Sequence, residues 1–383
     1  MEARQMVRKP AVWVAAAAAA LAVGVAAPAH AQPGMAGTHS GTQTLLKRAL
    51  EKSPGAAVYA GDANGGSWSM AVGTGVTPGN KPIGPDQPFR AASQTKAFTA
   101  TVVLQLVDEH KVALDSPIEK YLPGVVDGNG YDGNTITVRE LLQQNSSIPE
   151  NNAPKPKRNA DGSYTLENVV KDGLTHAPNG KPGDKWEYSN TNYEIASLLI
   201  EKVTGKSIGD AITDRIIKPL GLTGTTYPRG GDHTLPGSYV HGYDGGRRGP
   251  FFLWIDNSTS IEPSEYSGSG AAISTLTDLA KFESALVGGK LISPASLAEM
   301  HKTVVPTGWP AGYHYGLGAI SHTLSCGGTA WGHAGNVPGY ASWTVATSDG
   351  RYASVVNNTM TTTAGDNNDD LRFQILDAAI CGD

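Results

Sequence analysis

The apolar and polar positions change period along the chain, and each change predicts an element. Two strand-like runs, Ala56–Ala60 and Ser67–Val72, flank the turn-rich Gly61-Asp62-Ala63-Asn64-Gly65-Gly66, which predicts an antiparallel hairpin. Past Ser93 the spacing becomes helical. Phe98, Val102, Val103, Leu106 and Val107 recur at intervals of three and four, giving one apolar face. Further helices are predicted at Thr44–Lys52, Val138–Gln144, Asn192–Thr204, Ile208–Ile217, Thr275–Leu286 and Pro294–His301, with Ser53-Pro54-Gly55, Gly205 and Pro219-Leu220-Gly221 as stops. The stretch 225–265, rich in Gly, Pro and aromatics, reads as loops that could rim a pocket. Ala341–Thr347 and Tyr352–Asn357 alternate around Ser348-Asp349-Gly350-Arg351 as a second hairpin, and Leu371–Ile380 reads as a closing helix.

Strands thus lie near both chain ends and helices fill the middle. The economical architecture is α+β: an antiparallel sheet built from both ends (32–95 and 266–383) and flanked by helices, with an inserted, mainly helical domain at 96–265.

The first residues read as a processing signal. Arg4, Arg8 and Lys9 precede the alanine-rich Ala11–Ala27, and Ala29-His30-Ala31 has the small-x-small form of a cleavage site. Cleavage is expected after Ala31, leaving a secreted chain with no membrane segment; a retained anchor is the competing reading. Residues 32–43 read as a mobile lead-in.

Composition narrows the chemistry. With 30 Lys+Arg against 35 Asp+Glu and no dense basic stripe, nucleic acid is not an expected partner. Cys326 and Cys381 are the two cysteines, and in an exported protein they are expected to pair as a disulfide. No ligand spacing of the CxxC or HExxH kind supports a metal site, and no cofactor is expected.

Three short motifs carry candidate chemistry. Ser93-Gln94-Thr95-Lys96 is the chain's one S-x-x-K. At the start of a helix, positions three apart share a face, so the hydroxyl and the amine can meet. A buried lysine loses its proton more readily and can then deprotonate the serine. Tyr188-Ser189-Asn190 is the one Y-x-N; a phenol can relay protons, and an amide can bridge a lysine and a substrate carbonyl. His333-Ala334-Gly335 precedes the C-terminal hairpin, and its small residues would let a substrate backbone run along a strand edge. Each motif alone also fits a plain structural role.

In this order the three motifs resemble those of the penicillin-recognising serine hydrolases, with a β-lactamase/transpeptidase-like fold. The detail is closer to the class C β-lactamase branch, and closest to secreted, soluble D-alanyl-D-alanine carboxypeptidases. "PGDKWEYSNTNYEIASLLIEKVTGKSI", "IIKPLGLTGTTY" and "YGLGAISHTLSCGGTAWGHAGNVPGY" carry the likeness. The resemblance implies that Ser93 is acylated, that Lys96 and Tyr188 handle its proton, and that Asn190 orients substrate and Lys96. His333, Ala334, Gly335 and Asn336 would line the substrate strand, with the N–H groups of Ser93 and Asn336 as an oxyanion hole.

Three departures stand out. A stretch that in the family runs Leu-Leu-x-His-Thr-Ser-Gly reads L-L-Q-Q-N-S-S at Leu141–Ser147. Ala334 replaces a residue that usually carries a hydroxyl. No Lys or Arg occurs between Lys302 and Arg351, where the carboxypeptidases carry an arginine for the substrate carboxylate.

The reading is therefore a secreted, monomeric serine hydrolase for D-Ala-terminated or D-amino-acid-containing peptides, with β-lactams as covalent ligands. D-Alanyl-D-alanine carboxypeptidase activity leads. A D-specific amidase or peptidase, an esterase or a β-lactamase of the same superfamily follows, and a silent cell-wall-peptide binder stands outside the enzyme class.

Overall fold

The computed structural model describes residues 39–248, 251–361, 365 and 370–382, so the expected leader and cleavage site lie outside the described residues. One seven-stranded sheet dominates. Its order is Ser67–Gly73, Gly55–Gly61, Tyr352–Asn357, Tyr340–Thr347, Thr329–Val337, Ile320–Thr323 and Tyr313–Tyr315, and every pairing is antiparallel.

Strand period two sorts the sheet's side chains onto two cores. Ala57 and Val356 join the core that holds Phe98, Leu279 and Phe282. Ala56, Val58, Val355 and Trp343 join Leu46, Leu371 and Leu376 of the terminal helices. Both faces are therefore covered, and every residue of Tyr340–Thr347 is buried. The Cys326–Cys381 disulfide is formed and ties the turn after Ile320–Thr323 to the last turn of the closing helix.

Helix Thr95–Asp108 crosses between the sheet and the other helices. The spacing predicts one apolar face, yet almost the whole helix is buried. Small side chains permit this: Ala97 and Ala100 let neighbours approach, while Thr99 and Thr101 donate their hydroxyls to Gly268 O and Ala97 O at 2.7 Å each. Phe98 stacks on Phe282 of helix Leu276–Val287 at 3.7 Å.

Several expectations need correction. The lead-in becomes helical at Ser40, where His39 stacks on Trp68 at 4.0 Å. The stretch read as loops contains the hairpin Tyr243–Arg248/Phe251–Asp256, and Leu166–Gly173 forms a helix that its sequence did not announce. The strand Tyr313–Tyr315 carries no signal of its own; it is short, and pairing with Ile320–Thr323 rather than its own alternation holds it in the sheet.

Helix Leu276–Val287 buries Glu283 to 2% exposure, and burial pushes its carboxyl from 4.5 up to about 8. A folded-state value above the unfolded one means stability is fully present below 4.5 and declines as pH rises toward 8. Glu283→Gln is therefore expected to raise the urea midpoint relative to wild type above pH 8, with the gain shrinking in acid. An equal gain at both ends of the range would contradict this.

Candidate functional site

Ser93 lies in a 3₁₀ turn, Ala92–Gln94, just ahead of the helix Thr95–Asp108 rather than inside its first turn. Ala92 takes a left-handed φ of 51°, a conformation that non-glycine residues hold only when neighbours enforce it. Here the neighbours do so. Thr95 Oγ1 donates to Ala92 O at 2.7 Å and accepts from Ala272 N at 3.1 Å, and Ala91 N donates to Ala272 O at 2.9 Å. Gln94 Nε2 reaches Ser342 Oγ at 2.7 Å, fastening the turn to the sheet.

Lys96 is completely buried. Its Nζ lies 3.2 Å from Ser93 Oγ, 2.6 Å from Asn190 Oδ1 and 3.1 Å from Ser269 O. Burial draws the amine from 10.5 down to about 7, against the opposing pull of Glu150 and Glu194. The Tyr188 ring centroid stands 4.6 Å from Nζ. Burial, with Tyr315 beside it, holds the Tyr188 phenol well above the usual tyrosine value, while a hydrogen bond to Ser93 pulls the other way. Tyr188 is thus an uncharged phenol around neutral pH, and Lys96 is the group poised to change charge.

Asn190 begins the helix Asn190–Thr204, and a residue that the sequence reading missed holds it. Glu150 accepts from Asn190 N and from Asn190 Nδ2, both at 2.6 Å. That grip turns the Asn190 amide oxygen toward Lys96. Gln144, in the stretch that departs from the family, stands where the family has histidine, with φ 65°. Its Oε1 accepts from Ser189 N at 3.1 Å and Asn192 Nδ2 at 2.6 Å, binding the Tyr188–Asn190 segment to the preceding loop. Ser147 occupies the family's glycine position with φ 66°, so the left-handed turn is made without glycine. No motif marks Glu150 in the sequence, whereas Gln144 falls in the L-L-Q-Q-N-S-S stretch that departs from the family.

His333 lies on the strand Thr329–Val337 and is 1% exposed. Burial, followed by the nearby Lys96, lowers its ring from 6.5 to about 3, so it is neutral. Its Nδ1 sits 2.6 Å from Ala334 O and its Nε2 3.2 Å from the Tyr315 hydroxyl. The Tyr188 and His333 rings are 6.4 Å apart. Gly335 answers a packing demand: a Cβ there would stand 2.2 Å from Ala91 O, so the glycine lets the strand press against the Ser93 turn. Along the strand Thr329–Val337, Ile320–Thr323 pairs with Thr329–Gly332 and stops there, which leaves that flank of 333–337 unpaired by it. The Asn336 side chain accepts from Arg372 Nη1 at 2.9 Å.

The structure thus gathers Ser93, Lys96, Tyr188 and Asn190 around one buried amine, with the strand His333–Asn336 alongside. Cys326 and Cys381 belong to the disulfide at the chain's end.

The chain is similar to several known proteins. A D-stereospecific amidohydrolase from Streptomyces sp. is 35% identical, with a TM-score of 0.77 over 90% of this chain and 99% of that one. D-amino acid amidase from Ochrobactrum anthropi SV3, solved with L-phenylalanine, is 26% identical, with a TM-score of 0.72 over 83% of this chain and 91% of that one. The unguisins hydrolase ungD' of Aspergillus campestris is 29% identical over 280 residues, 69% of this chain and 50% of that protein. The chain spans half the length or less of the curated relatives it matches. The Beta-lactamase family model matches residues 42–379. With that match across most of its length, the chain belongs to the beta-lactamase family.

Proposed function

We propose that the protein is a D-stereospecific serine amidohydrolase that acylates Ser93 with D-aminoacyl groups from amides, esters or peptides and does not need a free carboxylate on the leaving side. The charge around Ser93 carries this reading. Glu150 places a carboxylate against Asn190, and Ala334 offers no hydroxyl. The cation beside the substrate strand, Arg372, is occupied by Asp370 at 2.6 Å, Ser342 O at 3.1 Å and Asn336 Oδ1 at 2.9 Å. Such a surface repels a substrate carboxylate and accepts an amide or an ammonium. The similar D-stereospecific amidohydrolase from Streptomyces and D-amino acid amidase from Ochrobactrum point the same way.

The distances at Lys96 support the following steps. Uncharged Lys96 donates to Asn190 Oδ1 and Ser269 O and turns its lone pair to the Ser93 hydroxyl. As Ser93 Oγ bonds to the acyl carbon, its proton passes to Lys96 Nζ. Tyr188, kept protonated by burial, donates to the leaving nitrogen and is refilled from the Lys96 ammonium. Counting the antiparallel ladder from the Val337–Tyr340 pair turns the Asn336 N–H away from Tyr340–Thr347. There it and the Ser93 N–H would meet the developing oxyanion. Water admitted by the same groups then releases the acid.

The competing reading is D-alanyl-D-alanine carboxypeptidase action, which the motif-bearing stretches favour. Hydrolysis of a D-Ala-D-Ala peptide and of its C-terminal amide separates the two. The amide is expected to be cleaved with the higher kcat/KM by at least about 10-fold, the scale of one lost charge-assisted contact. A preference for the free acid would refute the amidase reading. In a second test, Gly335→Ala is expected to lower kcat/KM on the order of 100-fold, as the strand is displaced from Ser93. Unchanged turnover in that variant would show that the close approach to Ala91 is not needed.

A further inference from the structure

One carboxylate near the amine has no part in the steps above. Asn190 and Glu194 stand four residues apart on the helix Asn190–Thr204 and so share a face. Asn190 meets Lys96 directly. Glu194, 1% exposed, accepts from Gly268 N at 2.8 Å and Ser269 N at 3.2 Å. The carbonyl of Ser269 is the one that Lys96 Nζ approaches at 3.1 Å. From the opposite side, Thr99 Oγ1 donates to Gly268 O at 2.7 Å, clamping this backbone between two helices. Gly268 fits because it lacks a side chain: a Cβ would stand 1.9 Å from Ser197 Oγ and 2.3 Å from Tyr193 O.

A buried carboxylate is costly unless donors or a cation compensate it. Two amides supply part of that, and the amine lies just across Ser269. We propose that Glu194 is the positioning residue for Lys96: it fixes the Ser269 carbonyl against the amine and supplies negative charge behind the ammonium that forms on acylation. The proposal rests on the Ser93 reading above. The Ser93 O–H bond breaks as Oγ bonds to the acyl carbon, and the proton moves to Lys96 Nζ. Glu194 takes no proton from substrate; its charge stabilises Nζ–H⁺ until Tyr188 passes a proton to the leaving nitrogen.

The surroundings leave few other charges to perform this task. Lys96 is faced by Glu150 and Glu194, by the Tyr188 and Tyr193 rings and by His333. Glu194 is faced by Lys96, by Tyr227 and by Tyr266. Burial holds those phenols protonated and His333 neutral, so charge rests on Lys96 and the carboxylates. Burial also brings the Lys96 amine down to about 7 and the Glu194 carboxyl up to about 7, so the two titrate together near neutrality.

Removing the carboxylate removes an attraction for the ammonium, and Lys96 then releases its proton at lower pH. The acid limb of kcat/KM against pH for a D-amino-acid amide is therefore expected to move down in Glu194→Gln, on the order of one pH unit. Plateau kcat should fall roughly 10-fold as the base weakens and Ser269 loosens. Glu194→Asp, which keeps the charge, should return the limb toward wild type. An unmoved limb in Glu194→Gln, with kcat merely lower at every pH, would overturn the proposal. Failure of both variants to fold, read by circular dichroism, would also overturn it and leave Glu194 a structural role. A Ser93→Ala control separates the two readings. If that variant retains turnover, the Ser93 reading fails and takes this one with it. If it is dead and the limb stays fixed, only the Glu194 proposal fails.

Discussion

The structure turns on an amine shut away from water. An ammonium at that depth would be costly, and the fold answers by giving Lys96 two oxygen acceptors, a serine hydroxyl and two nearby carboxylates. The balance leaves the amine near the point where it can take a proton and return it. Every other feature of the site serves that balance. The left-handed Ala92 sets Ser93 against Nζ, Glu150 orients Asn190, and the Gly268–Ser269 backbone presents its carbonyl.

The architecture makes so much burial possible. A sheet covered on both faces and a helix packed on nearly all sides leave little room for water around Lys96. Small residues do much of this: Ala97, Ala100, Gly268 and Gly335 each let backbone or helix come closer than a larger side chain would allow. The same closeness gives the substrate strand its place, because Gly335 brings it against the carbonyl of Ala91 and hence against Ser93.

Much of this was legible in the sequence, unevenly. The two hairpins, the helix after Ser93 and the closing helix follow from period, and the S-x-x-K and Y-x-N motifs announced the residues now found together. Spacing alone could not show that Lys96 would be wholly buried, since burial comes from partners distant in the chain. Glu150 and the contacts of Gln144 were hidden for the same reason: a loop folds back across 40 and 45 residues to reach Asn190 and Ser189. Glu194 left one faint trace, an acidic residue one helical turn beyond Asn190, set between Tyr193 and Ile195. The sequence at 243–256 reads as loop because its glycines and its proline outweigh its short alternation, whereas the structure pairs it as a hairpin.

Selective isotope labelling of lysine, followed by NMR titration of the Lys96 side chain in the resting protein, addresses the amine itself. Assignment by comparison with Lys96→Arg isolates its resonance. The account predicts a midpoint near 7. A midpoint near the ordinary lysine value of 10.5 would mean that the amine is charged at neutral pH and cannot be the group that accepts the Ser93 proton.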